Sequence, residues 1–382
     1  MRGRRVRPRA RVRRVETPRP PLCFVLTSLA RTGGVERDAL KAILRLAGKG
    51  RTIHITAGFV RPGVREALAD LPVVWHPIRA PVRPPALSQL LIWLQARRVV
   101  ARLRRRHPGL RVVGFEPNPL LDCWIGATPQ ALWRQAKRRA GLPPSLKPGI
   151  SLWNGWAERR LSTRAEHIVV YSRQARAWFV RHGVAEPRLS DVIIPCDTDR
   201  FHPTNPPIAD RCELLIIGAH PRLKGIDIML DAWREIAPRF PELRLRIVCK
   251  GWKVPALVRK AGLPRVETAP VIAEPEAYYA RARLVVMPSL FESWGNVPLE
   301  ALACGVPVVV SRQVPSSMVV TAPWQGAVIE RAGGGDGARL AEAVAEQLLR
   351  TESEELMARR HRSVVEFVAA HETTLSWLER HA

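Results

Sequence analysis

The stretch that decides the fold is Phe291–Glu300, which reads FESWGNVPLE. It lies between two apolar runs, Leu284–Pro288 and Pro307–Val310, which have the length and composition of buried parallel strands. A helix is predicted to begin near Val297 and to end at Gly305, because glycine commonly follows the end of a helix. The order strand, loop, helix, strand predicts a doubly wound α/β sheet, which binds ligands at the carboxyl ends of its strands.

Two glutamates flank the predicted start of this helix. Glu292 precedes the helix and Glu300 lies about one turn inside it. Backbone N–H groups at a helix start favour anions such as a diphosphate, and here they belong to Gly295, Asn296 and Val297. If the phosphates of a ligand rest on this helix start, one carboxylate can contact each end of the ligand. A nucleotide sugar, in which a diphosphate joins a sugar to a ribose, has that shape. Two solvated surface glutamates on an ordinary helix are the alternative.

The block from Glu292 to Val310, with its Cys-Gly-Val-Pro-Val-Val end, resembles the signature of retaining glycosyltransferases of family 4. That family has the α/β GT-B fold, in which two Rossmann-like domains face a cleft and a C-terminal helix crosses back to the first domain. The resemblance implies that Glu292 contacts the donor sugar at the catalytic centre and that Glu300 binds the ribose hydroxyls. The expected parts are an arm (1–20), an acceptor-side domain (21–203), a linker (204–211), a donor-nucleotide domain (212–365) and a crossover helix (366–382).

Other strand-to-helix turns carry further candidates for donor binding. Gly33 and Gly34 lie in a turn that resembles the family's first loop, which approaches the donor phosphate. Lys224 matches the family's lysine on the donor phosphates, and Arg222 is expected to supply a second cation from a shifted position. Arg173 follows a predicted strand end, where an arginine can reach a phosphate, although a surface position is an equal alternative.

An acidic candidate for the acceptor side is Asp122. The segment from Arg111 to Asp122 resembles, within the family, the heptose glucosyltransferases of the bacterial lipopolysaccharide core. Asp122 is therefore predicted to face the acceptor hydroxyl as a second catalytic residue. The alternative is that Asp122 lies at the N-terminus of a helix, where its negative charge is favourable.

The chain is strongly basic. Its 382 residues include 61 Lys and Arg against 34 Asp and Glu, a net charge of +27 that favours anionic partners. Residues 1–20 form an Arg-rich arm that is expected to be disordered. A second basic segment interleaves aromatic side chains and is predicted to contact an anionic membrane or the acceptor, with ordinary packing and single-stranded nucleic acid as alternatives. This patch comprises Trp124, Trp133, Arg134, Lys137, Arg138 and Arg139.

The expected activity is transfer of a hexose from a nucleotide diphosphate sugar to a membrane-associated glycan such as lipopolysaccharide core. The expected hexose is glucose and the expected nucleotide is UDP. By resemblance, the transfer retains configuration. No convincing Asp-x-Asp loop is present, so no metal or other cofactor is expected. The expected location is the cytoplasmic face of the bacterial inner membrane. The alternatives are a capsule, exopolysaccharide or glycolipid transferase, a UDP-sugar 2-epimerase and a basic nucleic-acid-binding protein. A Rossmann dehydrogenase is excluded because residues 27–36 lack Gly-x-Gly-x-x-Gly.

Overall fold

The computed structural model describes residues 19–31, 34–81, 84–143, 148–204, 210–218, 220–272, 274–331 and 335–382. These residues form two Rossmann-like domains, each built on a parallel sheet, and this confirms the predicted α/β architecture. The predicted arm lies almost wholly outside the described residues, and so does most of the predicted linker.

The first domain has, in its described part, a seven-stranded parallel sheet with the order β3-β2-β1-β4-β5-β6-β7. The order reverses beside β1, so the loops after β1 and β4 meet at the carboxyl edge of the sheet. The strands are β1 (Leu22–Leu29), β2 (Ile53–Val60), β3 (Val73–Trp75), β4 (Arg111–Gly114), β5 (Cys123–Trp124), β6 (His167–Val170) and β7 (Leu189–Asp191). The helices are α1 (Val35–Gly48), α2 (Val64–Ala67), α3 (Pro85–Arg106), α4 (Gln130–Arg139), α5 (Pro148–Arg164) and α6 (Arg173–Arg181).

The second domain repeats this plan with a six-stranded parallel sheet of order β10-β9-β8-β11-β12-β13 among its described residues. The strands are β8 (Glu213–Ile217), β9 (Arg244–Cys249), β10 (Val266–Pro270), β11 (Ala282–Met287), β12 (Val308–Ser311) and β13 (Gly326–Ile329). The helices that follow them in the chain are α7 (Ile226–Arg239), α8 (Lys253–Ala261), α9 (Glu276–Arg281), α10 (Val297–Ala303) and α11 (Asp336–Leu348). The predicted helix after Phe291–Glu300 is therefore α10, and Gly305 lies just beyond its end with a φ of 78°.

The chain returns to the first domain near its C-terminal end. α12 (Glu354–Ala370) still packs on the second domain, where its His361 ring lies 2.7 Å from the carbonyl oxygen of Ala303. α13 (Thr374–His381) packs against α1, and Trp377 and Leu378 are buried there. Glu379 of α13 pairs with Arg45 of α1 and with Lys49, the residue that follows α1. The helix that crosses back, which the resemblance implied, is α13, and the predicted start at residue 366 falls inside α12.

One predicted strand of the first domain is wrong in position. The apolar run Val192–Pro195 predicts the last strand of this domain, but the last strand is β7, which ends at Asp191. Ile193 makes an isolated parallel bridge with Thr373 instead. The run is apolar because Val192 and Ile193 are buried beside the returning segment at Thr373, and burial alone does not show that a run is a strand.

Three histidines meet at one edge of the first domain. His54 lies on β2 with its Nδ1 atom 2.9 Å from Nε2 of His76, and its ring centroid is 5.7 Å from that of His107. Burial, followed by the neighbouring His76 and His107, lowers the pKa of His54 from 6.5 to about 4. The neutral form of His54 is therefore the one that the fold stabilises.

We expect the free energy of unfolding to fall as the solution is acidified from about pH 7.5 to about pH 5, by about 2 kcal/mol from His54 alone. The unfolded chain binds a proton near its ordinary pKa of 6.5, whereas folded His54 stays neutral down to about pH 4. Urea unfolding at the two pH values measures the difference. His54→Asn should have a flatter pH dependence than the wild type, and an equal slope in both would contradict this origin.

Candidate active site

Two strand-to-helix turns of the second domain touch through their backbones. The N–H of Leu290, after β11, donates to the carbonyl oxygen of Leu223, before α7, at 2.8 Å. Gly225 has a φ of 71°, and a Cβ there would lie 2.3 Å from the carbonyl oxygen of Pro288. Glycine is therefore required for this approach. The contact fixes Lys224 beside the Phe291–Glu300 loop.

Five of the residues predicted to bind the donor or act at its sugar line one cavity of 260 Å³ at the carboxyl edge of the second sheet. These five residues are Lys224, Glu292, Gly295, Asn296 and Val297. Because they were predicted to bind the donor, this space is called the donor cavity below. The cavity wall also includes apolar side chains from the ends of four strands or the residues next to them, namely Ile217, Val248, Val271 and Met287. Lys250, which the sequence analysis did not single out, adds a second cation.

Glu292 is held by two polar partners. The Lys224 ammonium forms an ion pair with its carboxylate, and the Ser289 hydroxyl donates to the same oxygen at 3.1 Å. Both side chains of the ion pair are largely shielded from solvent, with exposures of 25% for Lys224 and 14% for Glu292. A ligand with a phosphate beside Lys224 would therefore place its next group against Glu292.

Glu300 lies on the other side of the α10 start and is buried, with 8% of its surface exposed. The hydroxyl of Tyr279, from α9, donates to Oε2 at 2.7 Å. Nη2 of Arg37, from α1 of the first domain, is 3.6 Å from Oε1. Arg37 was missed by the sequence analysis, although it lies only three residues after Gly34, because nothing in a local pattern shows a partner in the other domain.

Of the two glycines predicted in the first loop, only Gly34 is among the described residues. Gly33 lies outside the described residues. Gly34 is exposed and caps the start of α1, where its carbonyl oxygen accepts from the N–H of Asp38 at 3.1 Å. Burial raises the pKa of Asp38 to about 6. Gly34 thus lies one turn from Arg37, on the side of the cleft that faces Glu300.

Two predicted phosphate-binding arginines lie elsewhere than expected. Nη1 of Arg222 donates to the carbonyl oxygen of Gly141 at 3.1 Å and approaches that of Ala140 at 3.4 Å, so Arg222 joins the two domains and does not line the donor cavity. Arg173, the first residue of α6, is exposed and lines a separate groove on the first domain. Both arginines follow a strand end, and that position predicts that they lie near the cleft. It does not show which residues each guanidinium group contacts.

Asp122 does not face the cleft, and this corrects the prediction. Its N–H bonds to the carbonyl oxygen of Val112, and its carboxylate accepts from the N–H of Val112 at 2.8 Å. Arg104 donates to both carboxylate oxygens at 2.7 and 2.8 Å. Asp122 precedes β5, so it lies at the amino edge of the sheet, whereas the cleft is at the carboxyl edge.

An acid at the carboxyl edge is Glu116, which follows β4. Its Oε2 atom accepts from the N–H of Thr27 in β1 at 3.1 Å. Burial raises the pKa of Glu116, and hydrogen bonds from Thr27 oppose that shift. Glu36 of α1 lies close by and also raises this pKa. Glu116 was passed over because the resemblance in this segment pointed to Asp122.

The predicted aromatic and basic patch is divided by the fold. Trp124 is buried, with 2% of its surface exposed, and packs edge-on against Phe179 in the first domain's core. Trp133 packs against Phe291 of the second domain at a centroid distance of 5.4 Å, and Lys137 lies over its ring. These two tryptophans therefore do not form a membrane surface. The other predicted members, Arg134, Arg138 and Arg139, are exposed on α4.

Comparison with solved structures identifies the fold. The chain superposes on WaaG, a glycosyltransferase involved in lipopolysaccharide biosynthesis, with a TM-score of 0.73 and 19% identity, over 94% of this chain and 97% of that one. It also matches the Anabaena protein Alr3699/HepE, solved in complex with UDP and glucose, with a TM-score of 0.63 and 17% identity over 94% and 97% of the two chains. The two-domain architecture is therefore GT-B, as the resemblance implied.

The sequence comparison identifies the second domain. Residues 211–350 match the family model described as glycosyl transferases group 1. The match begins just before β8 and ends just after α11, so the matched region contains Lys224, Glu292, Glu300 and the described lining of the donor cavity.

The curated relatives are also glycosyltransferases. The D-inositol 3-phosphate glycosyltransferase of Geodermatophilus obscurus is 31% identical over 245 residues, which are 56% of this chain and 54% of the relative. That of Corynebacterium aurimucosum is 30% identical over 176 residues, 40% of this chain and 42% of the relative. The matched regions thus span about half or less of these relatives. The predicted family resemblance is confirmed at this level.

Within the described ranges, no group of three or more His, Cys, Asp or Glu residues is arranged to hold a metal ion. The expectation that catalysis needs no metal stays a prediction. None of the described helices is both long and apolar enough to cross a membrane.

We expect Asp122→Ala to lower the free energy of unfolding by about 2 kcal/mol, because it leaves Arg104 and the Val112 N–H without their carboxylate partner. Glu346→Ala, which breaks an exposed pair between Glu346 of α11 and Arg350 beyond its end, is the control and should change stability by less than about 0.5 kcal/mol. Urea unfolding measures both. A stable Asp122→Ala protein that has lost sugar transfer would restore the catalytic assignment.

Proposed function

We propose that the protein is a retaining hexosyltransferase that moves glucose from UDP-glucose to a hydroxyl of an anionic, membrane-associated acceptor. The observation that carries this proposal is the donor cavity, in which Lys224, Glu292 and the start of α10 line one space and Glu300 lies across the same helix start. UDP as the nucleotide is supported by the similar GT-B structures that hold UDP and glucose.

The donor cavity suits the charge that develops during transfer. As the bond between the sugar and the diphosphate breaks, negative charge grows on the departing diphosphate, and Lys224 and Lys250 line the cavity that would hold it. Positive charge grows on the sugar ring. Glu292, which is already oriented by Ser289, would hold a sugar hydroxyl and fix the ring. When a phosphate binds Lys224, the Lys224 ammonium forms an ion pair with the phosphate, and its ion pair with Glu292 weakens.

Glu300 would select a ribonucleotide. Tyr279 and Arg37 hold its carboxylate from two sides, which leaves acceptor capacity on both oxygens for a pair of ribose hydroxyls. Arg37 comes from the first domain, so the ribose site depends on both domains. The apolar side chains Ile217 and Val271 would cover the parts of the nucleotide that carry no charge.

The acceptor side belongs to the first domain. Glu116 lies at the carboxyl edge of its sheet and replaces Asp122 as the acid that would orient the acceptor hydroxyl. In a same-face attack that retains configuration, the hydroxyl oxygen bonds to the anomeric carbon as the diphosphate leaves, and the diphosphate oxygen takes the hydroxyl proton. Closure of the cleft would exclude water and limit hydrolysis of the donor.

We expect Glu300→Gln and Lys224→Ala each to weaken UDP-glucose binding about tenfold or more, because each removes a charge-assisted contact. Calorimetric titration with UDP-glucose, UDP-N-acetylglucosamine, GDP-mannose and UDP measures the affinity and names the donor. Glu346→Gln, an exposed glutamate on α11, is the matched control and should bind as the wild type does. Glu116→Gln should retain donor binding within about twofold while slowing transfer.

The proposal fails if the wild-type protein binds none of these nucleotide sugars. A UDP-sugar 2-epimerase would instead convert its donor without an acceptor, and analysis of the released sugars distinguishes that reaction from transfer.

Two acceptors fit the comparisons. Lipopolysaccharide core is the first candidate, because the superposed WaaG is involved in lipopolysaccharide biosynthesis. D-inositol 3-phosphate is the second, because it is the compound named for the curated relatives. Anionic acceptors of either kind suit a chain with a net charge of +27.

Membrane contact is proposed for a different surface from the predicted patch. Leu87, Leu90 and Leu94 form an exposed row along α3, with exposures of 43%, 38% and 41%. Leu152 of α5 is 74% exposed, and α5 packs beside α3. Exposed arginines follow the leucine row on α3, at positions Arg97 and Arg98. An apolar row beside cations suits the surface of an anionic membrane.

We expect the double variant Leu90→Glu/Leu94→Glu to lose binding to vesicles that contain phosphatidylglycerol by about tenfold or more, because two leucines no longer enter the interface and two like charges oppose the lipid. Co-sedimentation measures binding, and pure phosphatidylcholine vesicles should bind weakly. Val365→Glu, an exposed apolar residue on α12, is the control. Equal vesicle binding by the double variant and the wild type would refute this surface.

A further inference from the structure

A groove on the first domain gathers positive charge outside the donor cavity. It encloses 340 Å³ between α4 and α6. α4 contributes Leu132, Gln135 and Arg139, which lie on one face of that helix. α6 contributes Arg173, Gln174 and Arg181, of which the two arginines lie about two turns apart on one face. Three arginines and two glutamines therefore line one space together with the apolar residues Leu132 and Ala177. Nε of Arg181 donates to the carbonyl oxygen of Ala177 at 3.1 Å.

None of the described residues that line the groove is acidic. Of the acids on neighbouring elements, Glu158 accepts from the N–H of Gln130 at the other end of α4. Glu186 and Asp191 are paired with Arg176, which lies on another face of α6. Arginines that converge without a carboxylate repel one another, and a bound anion would relieve that repulsion.

The groove opens beside the cleft. Arg173 begins α6 directly after β6, at the carboxyl edge of the first sheet, which is the edge that faces the second domain. Arg139 immediately precedes Ala140 and Gly141, whose carbonyl oxygens contact Arg222 of the second domain. None of the groove residues lines the donor cavity. The groove is thus a separate site on the acceptor side.

We propose that the groove between α4 and α6 binds a phosphate monoester carried by the acceptor. This inference rests on the proposed transferase function and adds the chemical class of the acceptor. Planar guanidinium groups bind phosphate through paired hydrogen bonds, and the carboxamides of Gln135 and Gln174 can donate to the remaining oxygens. A phosphate held there would orient the rest of the acceptor toward the cleft.

Titration of the full chain with inorganic phosphate and with UDP tests the groove. Arg139→Gln, Arg173→Gln and Arg181→Gln should each weaken phosphate binding by about fivefold or more, and the triple variant should abolish it. UDP affinity should stay within about twofold. Arg173→Lys, which keeps the charge, should recover part of the phosphate affinity. Arg164→Gln is the matched control, because Arg164 is an exposed arginine at the opposite end of β6.

Three results overturn the proposal. Phosphate binding that is equal in the triple variant and the wild type shows that the groove is not the site. An equal loss of phosphate and UDP binding in the single variants shows that the groove belongs to the donor. An equal loss in Arg164→Gln shows general electrostatic attraction only. A wild-type protein that binds phosphate through the groove but no nucleotide sugar would refute the transferase function while leaving the anion site in place.

The source of the phosphate is decided by two further titrations. Loss of inositol phosphate binding in the triple variant identifies a soluble phosphorylated acceptor. Loss of binding to phosphatidic acid vesicles, measured with and without the Leu90→Glu/Leu94→Glu change, identifies a lipid-held phosphate. If neither ligand is affected by the triple variant, the proposal of a phosphorylated acceptor is refuted.

Discussion

The donor site depends on one backbone contact between two turns. Gly225 allows the turn before α7 to approach the carbonyl oxygen of Pro288, and the Leu290–Leu223 hydrogen bond fixes that approach. Both turns follow neighbouring parallel strands of one sheet, β8 and β11, so the two turns lie side by side at its carboxyl edge. Lys224 and Glu292 come together as a consequence, although three helices and two strands separate β8 from β11 in the chain. Any side chain larger than hydrogen at position 225 would separate the cation from the carboxylate.

The site is completed from across the cleft. Arg37 reaches Glu300, Arg222 reaches the chain after α4, and Trp133 packs on Phe291. Each contact joins a residue beside the donor cavity to the first domain, so the relative position of the domains and the shape of the donor site are linked. Residues of both domains hold the surroundings of the donor cavity in place, even though the residues that match the glycosyl transferase model lie in one domain.

Sequence alone predicted what is local and periodic. The strands and helices around Phe291–Glu300 follow from buried apolar runs and a glycine stop, and Lys224, Glu292 and Asn296 line one cavity as a result. The two-residue strand β5 was missed because it is too short to show a period. Asp122 was misplaced because spacing along the chain does not show which edge of a sheet a residue occupies. Arg37 and the buried position of Trp124 depend on distant partners, which no single sequence shows.

The first domain is assembled from segments that are far apart in the chain. Thr374 bonds to Ile193 across 181 positions, and Trp377 and Leu378 then close the face of α1. A nascent chain must therefore deliver the entire second domain before the first can finish its core. During synthesis, the second domain can fold as a continuous unit, while the first waits with an apolar face of α1 uncovered. The domain that is encoded first is thus the one that is completed last.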